Sequence, residues 1–599
     1  MRRHASLFCM ILTTVSLPAL VPAPCVAQTA TAVSAAPNPC PRPPAGSVVQ
    51  NAPSLFSSNG VLSVRFSYQH RIDSTGRELF CFMTPDGLQN PTLHVNPGDH
   101  LVITVTNNLP LGTGPMGLNA PNCGATTMNS TSLNIHYHGT NTSPTCHQDE
   151  VIKTIINAGQ TFQYNVAFPV NEPPGLYWYH PHVHGIAEHA LQGGAAGALV
   201  VDGIENVQPA VSGLRQRILV VRDQNVPGNP TPGGNIPAWD VTLNYVPITS
   251  PTDPTANNFV PAILAMKAGD RELFRVCNCS SDTILDLQYV FDGVPQTLQV
   301  VGIDAVPVNS QDGTQPGHPI PVKHFLLPPA SRVEFIVSAP PSSVKRAQLI
   351  TLNINTGPLG DNDPQRPLAT IQLLNIFPAA AGTDDMLPTS TSLNTTLNRF
   401  AGLAMAPIAV RRTVFFDENG DQTQFFMAVQ GQPEKVFDPN APPAIVATQG
   451  TVEEWTVENH AGENHEFHFH QVHFLVESQN NFEINGSRQA PAINGQDLDM
   501  IQVPFWDGNP NHPFPSVTLR IDYRGPDIGD FVFHCHILGH EDLGMMNIIR
   551  VQLPTAANQP KGQKVAAASR SASDEHAPNT LEIADEVVLP SGGEGHRHH

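Results

Sequence analysis

Pro97-Gly-Asp-His-Leu-Val-Ile-Thr-Val-Thr-Asn107 decides the fold because it returns twice, as Ala268-Gly-Asp-Arg-Glu-Leu-Phe-Arg-Val-Cys-Asn278 and as Gln449-Gly-Thr-Val-Glu-Glu-Trp-Thr-Val-Glu-Asn459. In each copy a glycine follows the first residue, a valine stands two places before the end, and an asparagine closes the run. Apolar and polar residues alternate through the first copy, the period of a half-buried strand. Gly98, Gly269 and Gly450 lie 171 and 181 residues apart. That is too far for a solenoid repeat of roughly 20–50 residues and suits duplicated whole domains. Other short alternating runs, such as Arg332-Val-Glu-Phe-Ile-Val337, are bounded by the abundant glycines and prolines (45 and 58) and read as antiparallel sandwich strands. The chain therefore reads as all-β, with three consecutive β-sandwich domains.

The 599 residues exceed one domain of about 150 residues. Residues 1–27 read as a signal peptide: Arg2 and Arg3, an apolar stretch from Leu7 to Val21, then Cys25-Val-Ala27 before Gln28. A membrane anchor fits less well, since Thr13, Thr14, Ser16 and Pro18 interrupt the stretch and no other segment nears about 20 apolar residues. Arg2-Arg3 also suits twin-arginine export, although the following residues match that pattern poorly. The mature protein is expected to be secreted or periplasmic, with no membrane anchor. A Pro/Ala-rich linker over 28–47 leads into domains over 48–203, 204–404 and 405–554. The Ala-, Ser-, Gly- and acid-rich segment 555–599 reads as a disordered tail, its last histidines solvated. A net charge of -21 argues against nucleic acid as a partner, since phosphate binding needs a basic surface. Beyond the signal stand Cys40, Cys81, Cys123, Cys146, Cys277, Cys279 and Cys535. Six can pair in an oxidising compartment, although a bond between the close neighbours Cys277 and Cys279 is expected to be strained. Cys535 is expected to stay free.

Four histidine motifs carry the chemistry: His136-Tyr-His138-Gly139, His180-Pro-His182, His465-Glu-Phe-His468-Phe-His470, and His534-Cys535-His536 followed by His540 and Met545. With 26 histidines, one His-x-His pair arises by chance about once, so a single motif says little. Repetition says more. Gly175-Leu-Tyr-Trp-Tyr-His-Pro-His182 parallels Gly529-Asp-Phe-Val-Phe-His-Cys-His536, so the outer domains carry equivalent metal-bearing strands. Histidines at i and i+2 of a strand share a face and reach one metal or two adjacent ones. Between Gly203 and Met405 the only histidines are His318 and His324, so the middle domain reads as a spacer without metal. A Cys535 thiolate, His540, a distant imidazole and the weak thioether of Met545 form the set that selects copper for electron transfer. The distant imidazole is expected to be His465, which lies outside the His468/His470 pair. Zinc fits less well, because structural zinc prefers four strong ligands and paired-cysteine spacings.

Over roughly residues 60–552 these motifs make the chain resemble the laccase-like, bacterial-type branch of the multicopper oxidases. The resemblance implies three cupredoxin-like Greek-key domains and four copper ions. It gives one type 1 ion to His465, Cys535, His540 and Met545, and one type 2 ion to His136 and His468. The two type 3 ions fall to His138, His180 and His536, and to His182, His470 and His534. It also implies proton supply by Glu541 and by Asp149, each of which is otherwise read as a surface carboxylate. The expected activity is one-electron oxidation of phenols or aromatic amines, coupled to four-electron reduction of dioxygen to water. The closest alternative is oxidation of cuprous or ferrous ion in metal tolerance, although the twelve methionines are scattered rather than clustered. A non-catalytic copper-binding protein is a further alternative. Two departures from the family pattern stand near the expected substrate wall: Glu466, where many members have proline, and Gln471-Val472-His473. His147, His184, His189 and His473 are read as ordinary histidines.

Overall fold

The computed structural model describes residues 39–116, 123–310, 315–374, 385–390, 399–487 and 491–555. The expected signal peptide, most of the 28–47 linker and nearly all of the 555–599 tail lie outside them. Among the described residues the regular structure is almost entirely strand, arranged as three successive pairs of sheets with one small two-stranded ribbon.

The threefold repeat has a structural cause. Gly98, Gly269 and Gly450 turn the chain at φ of 88°, 82° and 88°, a region open to glycine but costly for other residues. The strands they launch, His100–Asn107, Arg271–Asn278 and Val452–Asn459, occupy one topological place. Each pairs in parallel with an earlier strand (Val61–Ile72, Arg215–Asn225, Ile408–Glu418). Each pairs antiparallel with a later one (Thr161–Ala167, Arg332–Ser338, Ser516–Asp522). Val105, Val276 and Val457 are fully buried. The closing asparagine works as a clamp. Asn107 Nδ2 donates to the carbonyls of Thr131 and Ile156 (2.8 and 2.9 Å), Asn278 to those of Thr283 and Leu327 (2.8 and 2.9 Å), and Asn459 to those of Glu463 and Val503 (2.8 and 3.0 Å). Each clamp satisfies two carbonyls that burial would otherwise leave costly.

The second repeat positions the site. Strand Gly175–His180 lies beside His136–His138 with His180 opposite His136, and strand Gly529–Cys535 lies beside His465–Phe469 with His534 opposite His468. Four motifs distant in sequence are thus two cross-strand pairs, one in the first sheet pair and one in the last. Disulfides join Cys40 to Cys81, Cys123 to Cys146 and Cys277 to Cys279, and Cys535 is free and buried. The Cys277–Cys279 bond closes where the strand Arg271–Asn278 ends, with the two Cα atoms 5.5 Å apart. No described helix is long and apolar enough to cross a membrane.

Candidate metal centre

Strand alternation sorts the residues at the end of Gly529–Cys535. Cys535 points into the hydrophobic core of the last sheet pair, whereas His534 and His536 face the first. Cys535 Sγ lies 3.7 Å from His465 Nδ1 and 3.9 Å from His540 Nδ1, and these two nitrogens are 3.2 Å apart. His540 is delivered by the short helix Leu538–Asp542 and stacks on Phe425, ring centroids 4.2 Å apart. Met545 is fully buried and follows directly, its carbonyl accepting the Cys535 N–H (3.0 Å). The sulfur accepts two backbone hydrogen bonds, from Glu466 and Ile537, each 3.4 Å.

On the other face, eight imidazoles crowd between the first and last sheet pairs. Ring nitrogens of His138, His180 and His536 lie within 4.8 Å of one another, as do those of His182, His470 and His534 and those of His136, His138 and His468. His470 Nε2 and His182 Nε2 stand 3.1 and 3.3 Å from His534 Nε2.

The other ring nitrogens explain why these point inward. Nδ1 of His180, His468 and His534 donates to the carbonyls of Pro181, Asp499 and Cys535 (2.9, 2.9 and 2.7 Å), and Nδ1 of His136 to Asp149 Oδ1 (2.9 Å). With the proton on Nδ1, the Nε2 lone pair is left for a metal. Nε2 of His136, His180 and His468 and both ring nitrogens of His138 and His536 are buried without a hydrogen-bond partner. Such groups are rare unless a ligand satisfies them, so the residues fit a metal cluster. Burial, and then mutual repulsion, push His136, His138, His470 and His536 well below the usual imidazole range, and burial lowers His182 to about 4 and His540 to about 3. Neutral imidazole is the form that binds metal. Burial raises the Cys535 thiol, so only a bound cation makes its thiolate favourable there.

Both carboxylates singled out in the sequence are buried against the cluster rather than on the surface. Asp149 Oδ1 meets His136 and accepts the Tyr137 N–H (3.0 Å), while Oδ2 accepts from Gln471 Nε2 (2.6 Å). Glu541 lies 3.6 Å from His182 Nδ1 and 3.2 Å from His534 Nδ1. Burial raises both well above the usual carboxylate range. A third acid escaped sequence reading. Asp499 lies 3.4 Å from His138 Nε2 and forms a two-pronged bond to Arg332 (2.7 and 2.6 Å). Nothing in Asp497-Leu-Asp499-Met marks it. The middle segment is accordingly more than a spacer. Among the histidines set aside, His473 Nε2 sits 3.1 Å from the Asp304 carbonyl, His147 Nδ1 donates to the Gln163 carbonyl (2.7 Å), exposed His189 bonds Glu78 (2.7 Å), and His184 packs its edge against Phe437.

A buried thiol and two imidazoles, joined through adjacent residues of one strand to an eight-histidine cluster, define a copper-dependent oxidoreductase. Residues 126–206 and 412–554 each match a family model described as multicopper oxidase, a family whose members use copper and dioxygen. No curated protein gives a significant sequence match. Among solved structures, the chain resembles a multicopper oxidase from Campylobacter jejuni described as a metallo-oxidase (TM-score 0.59, 21% identity, 86% of this chain and 96% of that one). A multicopper oxidase from the hyperthermophile Aquifex aeolicus is similar at TM-score 0.59, 16% identity, and 84% and 99% coverage. So is a laccase-like enzyme from Ochrobactrum sp. with oxidase activity towards lignin model compounds and lignosulfonate (TM-score 0.58, 18% identity, 86% and 100%). At these identities the likeness is one of fold.

Proposed function

We propose that this chain is an exported laccase-like oxidase. In this reading it takes single electrons from a small phenolic or aromatic amine reductant near His540 and reduces dioxygen to water at the histidine cluster. Four copper ions would be held as the resemblance allocates them: one by His465, Cys535, His540 and Met545, one by His136 and His468, and two by the remaining six histidines. When bound, copper supplies one-electron redox chemistry at the thiolate and dioxygen reduction at the cluster. The observation that carries this reading is the strand Gly529–Cys535. Cys535 belongs to the mononuclear site, while His534 and the following His536 belong to the cluster, so one peptide segment connects the two. Glu541 and Asp149 stand where a proton source is needed. Three disulfides support an oxidising compartment, secreted or periplasmic.

A cavity of about 260 Å³ meets His540, large enough for one aromatic ring. Its walls include Asp282, Asp361, Asp363 and Glu463, the last 3.4 Å from His540 Nε2. Burial, with Glu418 beside it, raises Glu463 to about 9, and burial raises Asp363 to about 7. Acids crowded this way favour a positively charged guest, which supports the second reading, oxidation of cuprous or ferrous ion. Oxygen uptake by the copper-loaded protein with a methoxyphenol, Cu(I) and Fe(II), compared side by side, tests the choice. Turnover of the phenol supports the laccase reading, turnover of the ions alone replaces it with a metal oxidase, and uptake with none of them rejects both.

A further inference from the structure

Among the described residues, Arg332 of the middle domain reaches the carboxylate that lies beside the cluster. Arg332 opens the strand Arg332–Ser338, and its side chain is fully buried. Its Nη1 and Nη2 donate to the two oxygens of Asp499 (2.7 and 2.6 Å), its Nε donates to the Leu176 carbonyl (3.1 Å), and its backbone N–H donates to Asp304 Oδ1 (2.9 Å). One guanidinium thus ties the His180 strand of the first sheet pair to the loop beside His468 in the last. Asp499 is held between histidines of both. Its carboxylate is 3.4 Å from His138 Nε2, 4.0 Å from His468 Nδ1 and 3.6 Å from His473 Nε2, and its carbonyl accepts the His468 Nδ1–H (2.9 Å).

The backbone nearby is shaped to let these groups in. Gly139, directly after His138, has φ of 85°, and a Cβ there would run into both Arg332 Nη2 and Asp499 Oδ2. Gly175, which opens the strand to His180, leaves no room for a Cβ beside the backbone of Ala305. Two glycines of the first domain's metal motifs are therefore required by approach of the middle and last domains.

We propose that Arg332 and Asp499 are positioning residues for the oxygen-reducing cluster, the middle domain supplying the fork that fixes a carboxylate against His138 and His468. A carboxylate among buried imidazoles is free to rotate or swing onto a metal unless both oxygens are held. The planar guanidinium holds both at once, which an ammonium cannot. The fold thereby makes the geometry of the cluster depend on all three domains. This rests on His138 and His468 being copper ligands as proposed above.

The test uses the copper-loaded full chain. Arg332→Lys keeps the charge and loses the fork. Arg332→Met/Asp499→Leu replaces the pair with apolar side chains of similar volume, an exchange that buried ion pairs commonly tolerate. Glu334→Gln is the control. Glu334 lies on the same strand, accepts the Leu176 N–H (2.8 Å) and pairs with Arg275 (2.6 Å), away from the cluster. For both Arg332 variants the expected result is unchanged blue absorption, a shifted hyperfine splitting in the EPR signal of the non-blue copper, a kcat at least tenfold lower and an unchanged KM for the reductant. Loss of non-blue copper with the blue copper retained is the same result in stronger form. Glu334→Gln is expected to lower the unfolding midpoint and leave the EPR signal and kcat as in wild type. The proposal is overturned if the Arg332 variants keep the wild-type EPR signal and kcat, if Glu334→Gln shifts them equally, or if both Arg332 variants also lose the blue copper. Wild-type protein that binds blue copper alone would instead refute the ligand assignment.

Discussion

Glu466→Pro is expected to lower the reduction potential of copper held by Cys535 by roughly 30–65 mV. Both backbone groups of Glu466 face the Cys535 strand: its N–H donates to Sγ (3.4 Å) and its carbonyl accepts the His536 N–H (2.8 Å). Proline therefore removes the sulfur's donor without breaking a bond to the neighbouring Met500–Val503 strand, and leaves Ile537 as the one remaining backbone donor to the sulfur among those described. A hydrogen bond to a charged acceptor contributes about 1.5–3 kcal/mol. A copper held there would leave more charge on the sulfur when reduced, so roughly half of that, about 0.75–1.5 kcal/mol, survives as a difference between redox states, and 59 mV corresponds to about 1.4 kcal/mol for one electron. Glu466→Gln separates the backbone from the side chain, since it keeps the N–H and can still bond Gln502. Burial raises the Glu466 carboxyl to about 8, so below that pH this control exchanges one neutral group for another and should leave the potential in place. Spectroelectrochemical titration of the blue band measures all three proteins. An unchanged or higher potential in Glu466→Pro, with the blue band intact, would refute the reasoning.

Glu541→Gln should slow oxygen uptake by about a hundredfold while leaving anaerobic reduction of the blue copper unaffected, because among the described residues the lost carboxyl faces His182 and His534 of the cluster; equal slowing of both steps, seen by stopped flow, would count against it. Asn459→Ala strands two buried carbonyls, those of Glu463 and Val503, and should cost about 2–4 kcal/mol by urea denaturation of the copper-free protein; a loss under about 1 kcal/mol would show that the clamp matters little. The copper-free protein should also lose stability on acidification. His182 and His540 fall from 6.5 unfolded to about 4 and about 3 folded, so the unfolded chain binds protons first. Their contribution is complete above pH 6.5 and disappears as pH falls through the folded values; urea midpoints that rise on acidification below pH 6.5 would contradict the sign.

The domain plan was legible because its marks are local. A glycine needing positive φ, a buried valine and a clamping asparagine recur at fixed spacing, and each does the same work in every sheet pair. Cys535 and His540 stand together, Sγ to Nδ1 3.9 Å, because the short helix Leu538–Asp542 turns the chain back on itself, which a near spacing in sequence can suggest. The opposition of His180 to His136 and of His534 to His468 could be inferred only as symmetry, since register depends on partners far along the chain. Arg332 and Asp499 left no trace. They are 167 residues apart, and an arginine opening an alternating strand looks like any solvated one until a second domain covers it.

The most direct test of the account is copper content together with oxygen uptake in Cys535→Ser beside wild type. Four coppers are expected in wild type, and in the variant loss of the strong blue absorption, retention of the cluster copper and no oxygen uptake with any reductant. Oxygen uptake that persists in the variant at the wild-type rate would contradict the electron path through Cys535.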